Sequence, residues 1–139
     1  MKPKILIVKA DYYCAIATGL QAAAEVTLDI ESISKVKYKI IEVPGVFEIP
    51  VIIAKNINKY DAFVALGCVI KGQTSHFHYL CSSVINALTN LSIQSKKPIG
   101  NGILTCANKK QAAKRADPKK KNKGGHAANA VISVFDIIK

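Results

Sequence analysis

A histidine, a threonine and two glycines stand close together in Gly67-Cys68-Val69-Ile70-Lys71-Gly72-Gln73-Thr74-Ser75-His76. Those residue types suit proton transfer beside a phosphate-bearing ligand, because histidine exchanges protons near neutral pH. The apolar run from Ala62 to Leu66 reads as a buried strand, Gly67 and Gly72 bracket a turn, and an amphipathic helical pattern starts near His76. Open α/β sheets bind ligands at such strand–loop–helix junctions, and the N–H groups of a helix start favour an anion. The spacing of Gly67, Gly72 and Thr74 approaches a nucleotide-binding P-loop, but Gln73 stands where that loop needs lysine. Without the ammonium the β- and γ-phosphates lose their main partner, which excludes an NTPase. A single phosphate held by backbone and Thr74 is still accommodated. Taken alone, His76 is slightly better explained as a residue capping or flanking a helix start; the loop around it moves the balance toward a chemical role.

Other candidates are scattered. Glu48 follows a strand at a helix start, where the helix dipole favours its carboxylate; accepting a hydrogen bond from a polar heterocycle is a compatible second role. Arg115 carries a planar fork that binds two phosphate oxygens at once, although without further context a solvated surface role explains it better. Tyr12 and Tyr13 follow the first strand, where one ring can stack on a planar ligand while the other packs on the core. His76 and His78 form a His-x-His pair. Residues two apart on a helix do not share a face, and no further ligand follows at metal-site spacing, so no metal is expected.

These residues need a scaffold. Ile5–Val8, Lys39–Val43, Asp61–Leu66 and Ile99–Thr105 read as strands, the central ones as continuous apolar runs of the kind buried in parallel sheets. Helical patterns lie between them. An alanine-rich segment spans about 12–25 with Asp11 as its N-cap, and Val46–Ile57 holds Pro50 in its first turn. A helix from His76 buries Leu80, Val84, Leu88 and Leu91. Lys109–Ala116 ends at Asp117-Pro118, and a last helix over 124–138 buries Ala127, Val131, Val134 and Phe135. Residues 26–38 show no clear pattern. Gly100 and Gly102 allow close approach of backbone or ligand within the fourth strand. Strands alternating with helices specify one doubly wound α/β domain over 1–139.

With 139 residues, half of them hydrophobic, the chain is long enough for a single packed core and too apolar for disorder. No apolar run approaches the ~20 residues of a membrane span, and the start is too short in apolar residues for a signal peptide. A cytoplasmic location follows as the expectation. Cys14, Cys68, Cys81 and Cys106 have no Cys-x-x-Cys or zinc spacing and are read as free thiols. The net charge of +11 raises nucleic-acid binding, with Lys119-Lys120-Lys121-Asn122-Lys123 as the obvious patch. No aromatics interleave with that run to stack on bases, and a basic face that attracts anionic substrates accounts for the charge. A flavodoxin-type FMN carrier needs a Ser/Thr-rich loop after the first strand, where this chain has Lys9-Ala10-Asp11-Tyr12-Tyr13.

Three blocks taken together are specific: Val43-Pro44-Gly45-Val46-Phe47-Glu48-Ile49-Pro50, the 67–76 stretch, and Asn122-Lys123-Gly124-Gly125. In order and spacing, from about Ile5 to Phe135, the chain resembles the lumazine synthase family of riboflavin biosynthesis. The resemblance implies a three-layer, flavodoxin-like sandwich with a four-stranded parallel sheet. It implies condensation of 5-amino-6-(D-ribitylamino)uracil with 3,4-dihydroxy-2-butanone 4-phosphate, without cofactor or metal. It makes His76 the proton-transfer residue. Tyr12, Val46, Phe47, Glu48, Cys68, Val69 and Ile70 would line the pyrimidine site, the last three through backbone atoms. Gln73, Thr74 and Arg115 would bind the phosphate substrate, with Lys123 near by. Partners implied are further copies of the chain, as a pentamer or a sixty-subunit shell of pentamers, and riboflavin synthase; nucleic acid and membrane are not implied. Since the sequence begins almost at its first strand, the extra N-terminal strand of some relatives is not expected. Asn101 stands where an aromatic commonly covers the pyrimidine, Gln73 and His78 where acids are common. His126 replaces the usual acid after Asn122-Lys123-Gly124 and leaves the partner of Lys123 undefined.

Overall fold

The four apolar runs form one parallel sheet. In the computed structural model, which describes residues 3–31 and 36–139, the strands are β1 (Lys4–Ala10), β2 (Lys37–Val43), β3 (Ala62–Ile70) and β4 (Ile99–Cys106). Their order is β2-β1-β3-β4, and every pairing is parallel. Strand side chains alternate between faces, so each strand feeds two cores. Ile5, Ile7, Val64 and Leu66 pack under α1 (Cys14–Glu31), α4 (Lys109–Ala116) and α5 (Lys123–Ile138). Leu6, Val8, Phe63 and Ala65 pack on the other face against a 3₁₀ turn (Val46–Glu48), α2 (Ile49–Lys55) and α3 (His76–Ser95). This is the doubly wound α/β fold that the sequence pattern specifies, and the three-layer sandwich that the resemblance implies. No helix among the described residues is long and apolar enough to cross a membrane.

The chain moves outward from β1 in both directions, to β2 on one side and β3 on the other. Such a switch opens a crevice at the carboxyl ends of the two central strands. It is the feature that positions the site.

Several boundaries differ from the sequence reading. β3 runs on to Ile70, so Gly67 lies inside the strand and does not bracket a turn. A Cβ there would come 2.7 Å from Val46 Cγ1 and 3.1 Å from Ala10 Cβ; the glycine lets the 3₁₀ turn sit on the sheet. The loop is therefore only residues 71–75. α1 begins at Cys14 and includes 26–31, with Leu28 fully buried, while 37–38 already belong to β2; residues 32–35 of the unassigned zone lie outside the described residues. Asp11 does not cap α1: its N–H donates to Val43 O at 3.0 Å and its carboxylate lies 3.9 Å from Lys9 Nζ. Lys9 is itself buried in β1 and pairs with Glu42 on β2 at 3.3 Å. Val134 is exposed, because the buried seam of α5 is drawn by Gly124, Ala127, Ala128, Val131 and Phe135. Leu80 and Leu91 are half-buried beside the buried Val84 and Leu88.

Close helix contact explains two glycines. A side chain at Gly124 would strike the backbone of Leu20 on α1, and one at Gly100 would strike Ala127 O on α5. The closeness at β4 is thus backbone meeting backbone.

Candidate active site

A cleft of about 720 Å³ opens at the carboxyl ends of β1 and β3. β1 delivers Tyr12 and Tyr13 to its rim, the 3₁₀ turn delivers Gly45, Val46 and Phe47, and β3 ends in Cys68, Val69 and Ile70 as its floor. Tyr12 is 75% and Phe47 63% exposed, so two aromatic faces stand uncovered at the mouth. Tyr13 is half-buried against the α1-side core and meets Tyr12 edge-on, ring centroids 4.9 Å apart. One of the pair thus packs and the other projects. Burial, helped by Tyr12 and Cys68, raises the Tyr13 phenol above its ordinary pKa; it stays protonated and able to donate. Cys68 sends its thiol into the same core, where burial and then Cys106 push it up to about 12. That thiol is a neutral packing group, leaving backbone atoms as what residue 68 offers a ligand.

His76 is the first residue of α3 and lines the same cleft. At the helix start Thr74 Oγ1 accepts the His76 N–H at 3.3 Å, while Ser75 at the cap position makes no side-chain cap bond. The imidazole is exposed and has no hydrogen-bond partner among the described residues, so it is available to a ligand. Tyr79, Leu80 and Ser83, one and two turns further along α3, complete the wall. Thr74 and Gln73 are exposed in the turn and line neither this cleft nor the second one at β4. Glu48 is half-buried at the cap of α2, its carboxylate near Gly45, and also lies outside the lining.

A second cleft, about 390 Å³, lies at β4 and the starts of α5 and the preceding turn. Arg115, Lys121, Lys123 and His126 reach it together with Asn101 and Thr105, and no carboxylate lines it. α4 holds Arg115 in place. Asn108 Oδ1 accepts the Gln111 N–H at 2.8 Å and Gln111 Oε1 accepts the Ala107 N–H at 2.8 Å, a reciprocal cap at the helix start. At the other end Arg115 Nη1 lies 3.6 Å from Cys106 Sγ. Asn101 Oδ1 accepts the Ile103 N–H at 3.1 Å, turning that side chain back on its own strand.

The candidate residues therefore divide. Tyr12, Val46, Phe47, Cys68, Val69, Ile70 and His76 meet in the first cleft; Asn101, Arg115 and Lys123 meet in the second, and no residue lines both. Sequence reasoning did not single out Tyr79 or Lys121 for these clefts, and it noted His126 only as a departure from the family's usual acid near Lys123. Lys121 was hidden in a run of lysines, and only the Asn108-x-x-Gln111 pattern could have signalled where α4 begins and its last turn points. Among the described residues no group of three or more His, Cys, Asp or Glu side chains is gathered as a metal site requires. Chemically, the first cleft offers stacking surfaces and a proton carrier, and the second offers concentrated positive charge for an anion.

Comparison with known proteins matches residues 2–139 to the family model described as 6,7-dimethyl-8-ribityllumazine synthase. The chain is 44% identical to the protein of that name from Bartonella henselae, with 99% of this chain and 90% of that one covered. It is 43% identical to the one from Bartonella tribocorum (99% and 91% covered) and 39% identical to the one from Agrobacterium fabrum (99% and 96% covered).

Proposed function

The chain belongs to the 6,7-dimethyl-8-ribityllumazine synthase family, and from that premise we propose that its two clefts are the two halves of one active site, joined where neighbouring copies meet. The reaction condenses 5-amino-6-(D-ribitylamino)uracil with 3,4-dihydroxy-2-butanone 4-phosphate to 6,7-dimethyl-8-ribityllumazine, releasing phosphate and water. An amine attacks a ketone to form an imine, phosphate leaves, and the ring closes. Each step moves protons and none changes the net oxidation state, so holding two reactants together supplies much of the rate.

The observation that carries the reading is the division of residues. The stacking rings and His76 lie in one cleft, and Arg115 and Lys123 lie in another that shares no residue with it. A planar pyrimidine fits between Tyr12 and Phe47 over the floor of Cys68, Val69 and Ile70, with Glu48 accepting from its polar edge. His76 is the proton carrier for imine formation and phosphate loss. A neighbouring subunit brings Arg115, Lys123 and Asn101 against this cleft, and Gln73 and Thr74 of the short turn close over the phosphate. A cytoplasmic homopentamer, free or built into a sixty-subunit shell, is the assembly this requires, and riboflavin synthase takes its product.

Incubating the purified protein with both substrates tests the reading. A fluorescent lumazine and one phosphate per turnover are expected, with no product when either substrate is omitted. Absence of lumazine from folded, oligomeric protein would sink it.

A further inference from the structure

One histidine, the residue type whose charge ordinarily changes near neutral pH, lines the second cleft. Four basic side chains line it, and three of them, Arg115, Lys121 and Lys123, are permanent cations in the ordinary pH range. The fourth is His126, on the first turns of α5, with its backbone N–H donating to Asn122 O at 3.0 Å and its side chain exposed. We infer that His126 is a proton-dependent ligand of the phosphate-bearing substrate, adding a fourth positive charge to the cleft when an anion enters it. This rests on the reading of that cleft as the phosphate site.

Among the described residues no carboxylate lines the cleft with His126. β4 presents the neutral Asn101 and Thr105, α4 and the turn after it present Arg115 and Lys121, and α5 itself presents Lys123. Asp117, the one carboxylate in the turn between α4 and α5, accepts the Lys119 N–H at 2.8 Å and does not line the cleft. A bound dianion in the cleft favours the protonated imidazole. Binding and protonation are therefore linked with a definite sign: anion binding takes up a proton, and affinity rises as pH falls. His76 is the other imidazole near the substrate, brought from the neighbouring subunit, so its contribution must be separated.

Sulfate is the probe, since it stays a dianion between pH 6 and 8 whereas phosphate itself titrates there. Calorimetry on the intact oligomer in buffers of different ionisation enthalpy reads protons taken up per sulfate bound. The wild-type protein and His76→Gln are expected to take up a fraction of a proton at pH 7, with affinity rising roughly three- to tenfold from pH 8 to pH 6. His126→Gln should bind sulfate with no uptake and a flat pH profile. His126→Lys should bind as tightly as the acidic wild type at every pH, again without uptake. Unchanged uptake in His126→Gln overturns the inference while leaving the phosphate site standing. Sulfate binding that is indifferent to Arg115→Ala, or no binding at millimolar sulfate, overturns the phosphate site and the inference with it.

Discussion

Arg115 Nη1 lies 3.6 Å from Cys106 Sγ, so the guanidinium is tied to the carboxyl end of β4 on its own chain. A planar fork held in this way presents its remaining N–H groups in a set direction, which a lysine ammonium on a flexible stem does not reproduce. Arg115→Lys should raise the KM for the phosphate substrate about tenfold, the scale of one lost charge-assisted hydrogen bond, and leave the KM for the pyrimidine nearly unchanged. Lys121 lines the same cleft, whereas Lys119 and Lys120 do not. Lys121→Ala should therefore act in the same direction as Arg115→Lys, and the Lys119→Ala/Lys120→Ala pair should do little. A larger effect from that pair would refute the assignment.

His76 stands at the start of α3 with its ring uncommitted and facing the first cleft. Replacing it by glutamine keeps size and polarity but removes the proton carrier. His76→Gln should lower kcat by roughly 10²–10⁴-fold with little change in substrate affinity. An unaltered kcat between pH 6 and 8 takes His76 out of the mechanism.

The separation of the clefts makes complementation a direct measure of the assembly. His76→Ala and Arg115→Ala chains, each nearly inactive, should regain part of the activity when refolded or co-expressed together. In mixed oligomers with the proposed interface, some sites join an intact His76 to an intact Arg115. Mixed oligomers verified by mass that stay inactive rule out a shared site.

Gly124 is a stability position. The Cβ of alanine would run into the backbone of Leu20, which belongs to a helix and has no flexible end to move. Forcing α5 away from α1 should cost about 1–3 kcal/mol. Gly124→Ala should lower the urea midpoint accordingly, while Gly72→Ala, where nothing lies within 4 Å of the added methyl, should leave it unchanged. Equal midpoints for the two variants would show that the helices separate freely.

Cys68 gives a pH signature. Burial, and then Cys106, raise its thiol from the ordinary 9.0 to about 12. Between those values the unfolded chain binds fewer protons than the folded one, so this thiol makes stability fall as pH rises. The contribution is intact below pH ~9 and is lost progressively towards the folded value. In urea titrations from pH 8 to pH 11, Cys68→Ala should show a shallower loss than wild type, whatever its absolute stability. Parallel slopes would mean that Cys68 ionises as readily in the folded chain as in the unfolded one.

Much of the layered fold was legible because strands and helices record burial locally. Ile5–Val8 and Ala62–Leu66 are apolar throughout since both faces of the sheet are covered, and α4 ends where Asp117-Pro118 say it must. The candidate residues were also legible as types: His76 at a helix start, aromatics beyond β1 and β2, a fork at Arg115. What no local pattern carries is which faces converge. Gly67 reads as a turn glycine, yet it lies inside β3 because Val46 and Ala10 arrive from elements distant in sequence. Lys121 and Lys120 are indistinguishable along the chain, and only the fold of the 117–122 turn against β4 sends one of them into the cleft. The resemblance implies a site shared between copies, with His76 from one and Arg115 from the next; within one chain the two lie in separate clefts. Periodicity encodes what each segment hides from water; the strand order and the helix crossings decide what each segment meets.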